Sequence, residues 1–546
     1  MKRLAVSLTI LASLCAGASV LADDAIYFGN AQSEAAHRLH APGTEVVNGG
    51  LGERARRILP PREPGYRSGP IAFDLAVDPA KRNHLTVKFW GSDVTSNRLV
   101  VFLDGKQFGY LHLGDYELLD TGAKEARFPD RFHYVTQLIP ESATKGRDRI
   151  RVEIYAHGPF WGYGANFAQF QKNMTEPSRG IYAAYAHVDP YFEIPSSEKK
   201  ADPIAVQPPA ENDPAAVERS RAQADSHIRS VLDPKRKTLN QMQILTAAKA
   251  RAMRWNEAAT SKETLDRIVS SLDALYRQWR KAPRSVVNDG STWNPGWFGL
   301  GPAGEAILLL ASEIEPRLGE TIEDHRKNPV VRRDAWADMF RYVAREQARH
   351  RRMYTNQTMI IDLNLHWTNR SLAFLDPEKA FPLEMTLGFL KESVGLRPWS
   401  GSLDRNGAPT WPQGRNYMQL TDKGLTKELG YVGIYGEVVD WVDAIYNATR
   451  PSPDRLGDPE IRDALVRIMR ARSFFRYPEV DASHRRVMRL ETVVGWRDTS
   501  HPGDVVYAIR PGRDMSPIRA AVDAADPVAL GGVAQMEADG RLSASI

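Results

Sequence analysis

A proline-rich polar segment divides the chain and sets the first limit on its fold. The segment IPSSEKKADPIAVQPPAENDP, which ends at Pro214, contains five prolines among many polar residues. Proline lacks a backbone N–H group and cannot continue a helix or a central strand, so this composition is typical of a linker. We therefore expect a linker over residues 194–213, and 546 residues are enough for a separate hydrophobic core on each side of it.

The segment from residue 71 to residue 192 has the two-residue hydrophobic period of half-buried strands. Apolar and polar side chains alternate from Leu85 to Phe89 and again from Arg149 to Tyr155. An apolar run from Leu99 to Leu103 ends at Asp104-Gly105, a dipeptide typical of a β-hairpin turn. Several short strands with turns between them predict an antiparallel β-sandwich, which we place as an accessory domain at residues 23–193.

Beyond the linker the hydrophobic period changes to that of amphipathic helices. Apolar side chains recur at i, i+3, i+4 and i+7 in Leu265–Trp279, Trp336–Ala344 and Val438–Tyr446. Roughly eight such segments favour a ring or stack of helical hairpins over a four-helix bundle. We expect an all-helical (α/α) toroid, the catalytic domain, over residues 214–478, followed by the start of a C-terminal antiparallel β-domain over residues 479–546, because the runs Val487–Val494 and Val505–Ile509 are again strand-like.

The first 22 residues, MKRLAVSLTILASLCAGASVLA, have the pattern of a bacterial signal peptide. Lys2 and Arg3 precede an apolar stretch that ends in small residues, and the stretch is shorter than the ~20 apolar residues of a membrane span. We therefore expect a periplasmic or secreted protein without a membrane span after cleavage. The only cysteine, Cys15, lies in this segment, so the mature chain is expected to contain no disulfide, thiolate metal site or cysteine nucleophile.

The net charge argues against a dedicated nucleic-acid-binding protein. The formal charge is +5, and without the basic leader 70 basic side chains face 67 acidic ones. A nucleic-acid-binding protein needs a dense basic stripe, whereas this balance suits an anionic substrate held by a few placed cations. Gly-x-Ser-x-Gly, Walker and His-Glu-x-x-His motifs are absent from the sequence.

Two segments of the helical region combine aromatic and polar side chains at high density. Asp289–Pro302 carries Trp293 and Trp297 among glycines and prolines, and tryptophan faces stack well on sugar rings; a packed structural loop is the alternative. In the helix over 354–370, Asn356, Gln357 and His366 interrupt an apolar pattern. Such polar side chains either line a cavity or form a buried, satisfied hydrogen-bond network.

Within this second segment Asp362 and His366 are four residues apart and share a helix face. A metal site would need a third ligand, and none stands nearby in the sequence, so we expect no metal and no other cofactor.

A third segment runs from Thr410 to Glu437. The guanidinium of Arg415 suits a carboxylate, because its planar fork binds one bidentately, and Trp411 offers a further stacking face. Glycines flank Tyr431 and Tyr435 at three-residue spacing, which either projects the phenol groups into a cleft or allows close helix packing.

This layout resembles exported carbohydrate-active enzymes that combine an (α/α) toroid with β-sandwich domains. Residues 214–546 resemble polysaccharide lyases of the heparinase II/III-like and alginate-lyase-like toroid group, and FDLAVDPAKRNHLTVKFWGSD resembles accessory β-domains of exported glycan-degrading proteins. The resemblance implies β-elimination on a glycan that contains uronic acid, an anionic polysaccharide or oligosaccharide.

The resemblance also implies roles for individual residues. Asn356 and Arg415 would neutralise the substrate carboxylate, His366 or Tyr431 would remove the proton at C5, and Tyr435 would protonate the leaving oxygen. Further substrate contacts are expected from the following side chains: Trp293, Trp297, Trp411, Gln357 and Glu437. Two alternatives stay open, a glycoside hydrolase that uses two of Glu305, Asp362, Glu428, Glu437 and Asp440, and a glycan-binding protein without catalytic activity.

Overall fold

The chain divides into two compact units. The structure is a computed structural model. It describes residues 24–107, 119–120, 122, 126, 128–159, 171–209, 211, 213–286, 297–353, 355–415, 417, 424, 439–452, 454–474, 476–490 and 522–542. The first unit comprises Met1–Val206 and Val480–His484, and the second comprises Gln207–Glu479 and Arg485–Ile546. The division at Val206 falls inside the segment that the sequence predicts as a linker.

The first unit contains two antiparallel sheets. Their strands are β1 (Asp24–Tyr27), β2 (Thr44–Asn48), β3 (Arg54–Ile58), β4 (Arg67–Ala76), β5 (Asn83–Trp90), β6 (Arg98–Leu103), β7 (Lys106–Gln107), β8 (Phe132–Ile139), β9 (Arg149–His157) and β10 (Ile181–His187). One sheet has the order β2-β3-β10-β5-β8 with β1 also paired to β10, and the other has the order β4-β9-β6-β7. Two short α-helices, α1 (Ala31–Ala36) and α2 (Glu141–Thr144), and a 3₁₀ turn at Gly50–Gly52 also belong to this unit.

The apolar faces of both sheets form one core, as the alternating pattern predicts. Leu85, Val87 and Phe89 of β5 are buried in the same cluster as Val152 and Ile154 of β9. The predicted hairpin turn is present between β6 and β7, where Asp104 and Gly105 have φ of 48° and 73°. Positive φ at both positions matches the right-handed twist of the flanking strands.

The opposite face of β5 differs from the sequence expectation. Lys88 alternates with apolar residues and would be solvated on an open sheet face, yet it is 1% exposed. Its ammonium group contacts Glu198 and lies 2.6 Å from a carboxylate oxygen of Glu53, and Glu198 also accepts a hydrogen bond from Tyr185. The first part of the predicted linker is therefore packed on the sheet, because the carboxylate of Glu198 compensates the buried charge of Lys88.

The second unit is helical. Its described helices are α3 (Ala216–Leu232), α4 (Gln241–Ala252), α5 (Glu257–Thr260), α6 (Lys262–Lys281), α7 (Gly301–Leu309), α8 (Ala311–Ile314), α9 (Arg332–Arg349), α10 (Thr355–Leu375), α11 (Leu383–Ser393), α12 (Val439–Ala448), α13 (Pro459–Ser473) and α14 (Pro527–Ala538). The hairpin β11–β12 (Thr321–Glu323, Pro329–Val331) interrupts this series. The paired strands β13 (Arg476–Val480) and β14 (Arg486–Leu490) follow α13, and the end of β13 and the turn after it are counted with the first unit. None of the described helices is long and apolar enough to cross a bilayer.

Helix α10 lies at the centre of this unit. It contacts α7, α9, α11 and α12, and α7 in turn contacts α4. Gly301 lies against Asn364 and Gly304 against Trp367, so α7 and α10 run parallel, and glycine is needed there because a Cβ at position 301 would lie 2.0 Å from the Asn364 side chain. In the series α4, α7, α10 and α12, each helix contacts the next. These contacts do not establish a closed ring, so the toroid stays a prediction.

The C-terminal region is only partly strand-like. The hairpin β13–β14 covers Val487, but α14 follows at Pro527–Ala538, where the sequence analysis expects β-structure. Asp526 caps this helix by accepting hydrogen bonds from two backbone N–H groups, and Pro527 occupies its first turn. An acidic cap followed by proline is a helix start signal, and it is more informative here than the apolar runs before it. The predicted strand Val505–Ile509 lies outside the described residues.

Candidate functional site

The last turn of α9 contacts two loops that neighbour the segments singled out by the sequence. The backbone N–H of Leu403 donates a hydrogen bond of 2.9 Å to the carbonyl of Ala348. Gly299 lies against the side chain of Gln347, where a Cβ atom at position 299 would be only 2.5 Å from the amide nitrogen. The loop that carries Trp297 and the region that carries Trp411 are thus attached to adjacent residues of α9, and α10 begins a few residues later.

The region of Trp411 is a hairpin, which we call the 398–417 hairpin. Isolated β-bridges join Pro398 to Tyr417 and Leu403 to Pro409. Between them, the N–H of Trp411 donates 2.9 Å to the carbonyl of Ser400. Glycine at position 414 has φ of +69°, and a Cβ there would be 2.6 Å from Pro398. This pairing fixes the backbone beside the two tryptophans of the hairpin, Trp399 and Trp411.

A buried arginine anchors the 398–417 hairpin to two helices. The side chain of Arg351 is 0% exposed and donates bidentately to Asp362 of α10, at 2.7 and 2.9 Å. It also donates to Glu392 of α11 at 2.8 Å and to the carbonyl of Gly401 at 2.7 Å. The guanidinium lies 3.8 Å from the ring centroid of Phe389. One cation therefore links α10, α11 and the hairpin.

The two carboxylates of this network, Asp362 and Glu392, are engaged by donors inside the protein. Ser400 donates from its hydroxyl to Glu392 at 2.6 Å and from its N–H at 3.1 Å. Burial raises the pKa of Asp362 to about 6, against the pull of the Arg351 guanidinium. Asp362 is thus engaged inside the protein and faces no cleft, which removes it from the acids available to a hydrolase.

His366 lies one turn further along the same face of α10. It is 3% exposed, and its Nδ1 lies 2.9 Å from the Thr386 hydroxyl of α11. Burial, together with the charge of Arg370, lowers the pKa of His366 to about 3, so the ring is neutral at ordinary pH. Asp362 and His366 share a helix face as their spacing predicts, but that face packs on α11. The structure does not support His366 as a base, because a polysaccharide does not reach a side chain in this position.

The two amides at the start of α10 are placed differently. Asn356 and Gln357 lie in its first turn and are half-buried. The carbonyl oxygen of Gln357 accepts a hydrogen bond of 3.2 Å from the guanidinium of Arg352, an exposed residue between α9 and α10. These amides therefore stand at the same end of the unit as the two attached loops.

The hairpin presents an arginine on an aromatic face. The Arg415 guanidinium lies 4.1 Å from the ring centroid of Trp411, and Arg415 is exposed. Trp411 contacts Trp399 edge-on, with ring centroids 5.1 Å apart. Stacking on an indole holds a guanidinium in one orientation while its N–H edge stays available for an anion.

Three buried N–H donors, one each on α9, the Trp297 loop and the 398–417 hairpin, have no acceptor among the described residues. They are the indole N–H groups of Trp297 and Trp399 and the amide nitrogen of Gln347. Buried donors without acceptors are rare, and each is a position where a ligand or water oxygen is expected.

Several sequence-predicted residues lie outside the part of the chain that the structure describes. They are Trp293, Tyr431, Tyr435 and Glu437, and of the hydrolase candidates also Glu428 and the side chain of Asp440. Glu305, the remaining candidate acid, forms an ion pair of 2.8 Å with Lys249. Among the described residues, no group of three acidic, histidine or cysteine side chains is arranged to hold a metal ion.

Helix α9 carries an arginine series that is not among the residues predicted from the sequence. Arg341, Arg345 and Arg349 are spaced by four residues and share one helix face. Partial burial and the charges of the two neighbouring arginines lower the pKa of Arg345, so the cations are close enough to repel one another. The spacing is visible in the sequence, and residues 341–352 contain five arginines against one glutamate. The overall charge balance conceals this local excess.

Comparison with known proteins finds only distant structural likenesses. No family model matches the chain, and no curated protein sequence is similar to it. An exo-β-1,3-galactanase from Phanerochaete chrysosporium is 11% identical with a TM-score of 0.17, over 28% of this chain and 27% of the galactanase. A family 35 carbohydrate-binding module from Clostridium thermocellum is 11% identical with a TM-score of 0.16, over 27% of this chain and 90% of the module. The match thus spans about a quarter of the galactanase, and scores this low carry no argument about function. Neither neighbour is a heparinase-like lyase.

Proposed function

We propose that the helical unit binds an acidic glycan at the end of α9 and cleaves it by β-elimination. The binding surface, which we call the α9-end surface, comprises Trp297, Arg352, Asn356, Gln357, Trp411 and Arg415. The observation that carries the proposal is the attachment of two loops to the last turn of one arginine-rich helix, a few residues before α10 begins.

The charge of this region supports an anionic ligand. Of the arginines at the end of α9, Arg351 is already neutralised by two buried carboxylates. Arg345 and Arg349 remain exposed on the helix and Arg415 is exposed on the hairpin, with Glu346 bound to Arg349 at 3.4 Å. Arginine binds a carboxylate through two parallel hydrogen bonds, which suits the repeated acid groups of a uronate chain.

The neutral side chains of the same region support a sugar as the carrier of that acid. Trp297 and Trp411 are half-buried, so each keeps part of its indole accessible, and Gln357 offers an amide. Indole faces bind the apolar faces of sugar rings, while amides and guanidinium groups bind their hydroxyl and carboxyl oxygens. A simple inorganic anion would make no use of the aromatic side chains.

β-Elimination fits these residue types. A base removes the C5 proton of the uronate, the electron pair forms the C4=C5 double bond, and the C4–O bond breaks with protonation of the leaving oxygen. The C5 proton is weakly acidic until the neighbouring carboxylate charge is offset, and donors aimed at the developing charge contribute ~3–4 kcal/mol each. We assign carboxylate binding to Arg415 and Asn356, the base to Tyr431 and the acid to Tyr435, the two tyrosines on the strength of the resemblance alone.

Replacement of Arg415 by alanine should lower kcat/KM by ~10²–10³-fold, because a charge-stabilising donor is lost in the transition state. Activity is followed by the ultraviolet absorbance of the new double bond on polygalacturonate, alginate, heparin and hyaluronan. Arg405 is an exposed arginine in the turn of the same hairpin, and the Arg405→Ala variant serves as the matched control with near-normal activity.

The products separate the proposal from its alternatives. New reducing ends without the absorbance would indicate hydrolysis and contradict elimination. Retention of these glycans without cleavage would leave only glycan binding. Equal activities of the Arg415→Ala and Arg405→Ala variants would remove Arg415 from the site.

Replacement of Tyr435 by phenylalanine should lower kcat by ~10²–10⁴-fold, since a positioned general acid contributes about this much. The folded state should be unchanged, which far-ultraviolet circular dichroism checks. Tyr417, an exposed tyrosine that closes the 398–417 hairpin, is the control position. A Tyr435→Phe variant as active as Tyr417→Phe would exclude Tyr435 as the acid.

A further inference from the structure

A cavity of about 420 Å³ lies beside the Trp297 loop, at the start of α4. Its described lining comes from the first turn of α4, one face of α6, and Phe298 and Pro302. The volume falls within the ~300–1,000 Å³ typical of ligand pockets. The cavity is separate from the 398–417 hairpin, which contributes none of the described lining residues.

Gln241 contributes a buried polar side chain to this cavity. It lines the cavity and is 8% exposed, and its amide nitrogen donates 2.8 Å to the carbonyl of Gly299. Its carbonyl oxygen Oε1 is buried and has no hydrogen-bond donor among the described residues. An acceptor left in this state costs ~1–3 kcal/mol, unless a ligand or water supplies an O–H or N–H group.

The start of α4 adds donors to the same wall. Asn240 and Gln243 form a capping box, in which each side chain accepts from the other residue's backbone N–H. The N–H groups of the first helical turn otherwise have no acceptor inside a helix. Those of Gln241 and Met242 are therefore suited to ligand oxygens, while Gln241 Oε1 is suited to a ligand hydroxyl.

The character of the lining identifies the ligand class. The described lining residues carry amide, hydroxyl, aliphatic and aromatic groups and no charged side chain: Thr238, Leu239, Asn240, Gln241, Met242, Ser271, Ala274, Leu275, Gln278, Ser285, Val286, Phe298 and Pro302. Burial of a charged ligand without a counter-charge is costly, whereas hydroxyl groups pair with amides and sugar C–H faces pack on Phe298.

We propose that this cavity binds a neutral sugar residue of the glycan. The choice of a sugar rests on the proposed function, and the cavity deepens it by naming an uncharged unit next to the acidic one. The loop of Trp297 connects the two positions, because Gly299 accepts from Gln241 on one side and packs on Gln347 of α9 on the other. The glycan would accordingly contain both neutral and uronic units.

The test fills the cavity without removing any hydrogen bond named above. Ala274 is half-buried on α6 and lines the cavity, so an Ala274→Phe variant should occupy the space of the sugar. Calorimetric titration with neutral galactose, glucose and xylose oligosaccharides should show binding to the wild type and at least ~10-fold weaker binding to this variant. The exposed Glu263 of the same helix is the control, and Glu263→Phe should bind like the wild type.

Further variants serve as controls for the cavity-filling test. Gln241→Leu should also weaken binding of the neutral sugar, and circular dichroism should verify that Ala274→Phe and Gln241→Leu are folded. Unchanged affinity in a folded Ala274→Phe variant, or no binding of any neutral sugar by the wild type, would overturn the proposal.

Arg415→Ala should weaken the binding of uronate glycans alone. The proposal for the α9-end surface and the proposal for the cavity can therefore be contradicted independently. Loss of neutral-sugar binding in Arg415→Ala would place both ligands in one site and likewise overturn the proposal.

Discussion

Replacement of Arg351 by methionine is expected to lower the free energy of unfolding of the helical unit by about 3–5 kcal/mol. The guanidinium is fully buried and pairs with Asp362 and Glu392, whose side chains are 0% and 9% exposed. Its removal leaves two carboxylates in the interior without a counter-charge and the carbonyl of Gly401 without its donor. The unfolding is measured by chemical denaturation, followed by the far-ultraviolet ellipticity that the helices dominate.

A matched arginine controls for the loss of charge itself. Arg349 is 39% exposed in its side chain and pairs with Glu346 at 3.4 Å, so Arg349→Met should cost no more than ~1 kcal/mol. A second variant, Arg351→Met combined with Asp362→Leu, should recover part of the stability because one uncompensated charge is removed with its partner. A loss below about 1 kcal/mol in Arg351→Met would show that the network contributes little.

The same variant should also affect glycan binding. Arg351 contacts no proposed ligand, but it anchors the hairpin that carries Trp411 and Arg415. We therefore expect weaker uronate binding in Arg351→Met even under conditions where the helical unit remains folded, because the positions of the hairpin side chains are no longer held by α10 and α11.

His366 should make the stability of the helical unit depend on pH. Its pKa is about 3 in the folded protein against 6.5 for an ordinary histidine. Between these values the unfolded chain binds a proton that the folded protein does not, so the free energy of unfolding decreases as the pH falls below 6.5. The slope is at most ~1.36 kcal/mol per pH unit, which amounts to a maximum of about 5 kcal/mol over the whole interval.

The comparison of wild type and His366→Gln isolates this contribution. Burial raises the pKa of Asp362 to about 6, so protonation of Asp362 increases the free energy of unfolding as the pH falls from about 6 to about 4. This effect is opposite to that of His366 and is common to both proteins. Both proteins are denatured at pH 7, 6, 5 and 4. The difference between their free energies of unfolding should narrow or reverse toward low pH, because glutamine takes up no proton. His350→Gln, at a histidine whose side chain is 71% exposed, should follow the wild type. A pH-independent difference between His366→Gln and wild type would show that His366 titrates normally.

Alternation and turn chemistry predict the first unit well, because they are local. The Asp104-Gly105 turn and the buried sides of β5 and β9 follow from the residues themselves. The burial of Lys88 does not, since it depends on Glu198, a residue far away in the sequence that belongs to a segment of linker composition. The helical period likewise predicts α6, α9 and α12, whereas the closure of a ring depends on contacts that no local pattern specifies.

The candidate site likewise combines features that the sequence predicts with features that depend on distant contacts. The polarity of α10 indicates that Asp362 and His366 need partners, but it does not distinguish a cleft from a helix interface. The structure gives them Arg351 and Thr386, from a loop and from another helix. A polar side chain in an apolar helix is compatible with either environment, and only the neighbouring elements decide between them.

The sequence by itself determined the two kinds of secondary structure, the break between them, and the residue types available for binding a glycan, because each depends on side chains close together in the chain. Only the tertiary structure decided that the Trp297 loop and the 398–417 hairpin both contact the last turn of α9, and that His366 is enclosed beside α11. These facts depend on hydrogen bonds and packing between residues tens of positions apart, and the free energy of such contacts is set by the burial that the whole fold creates.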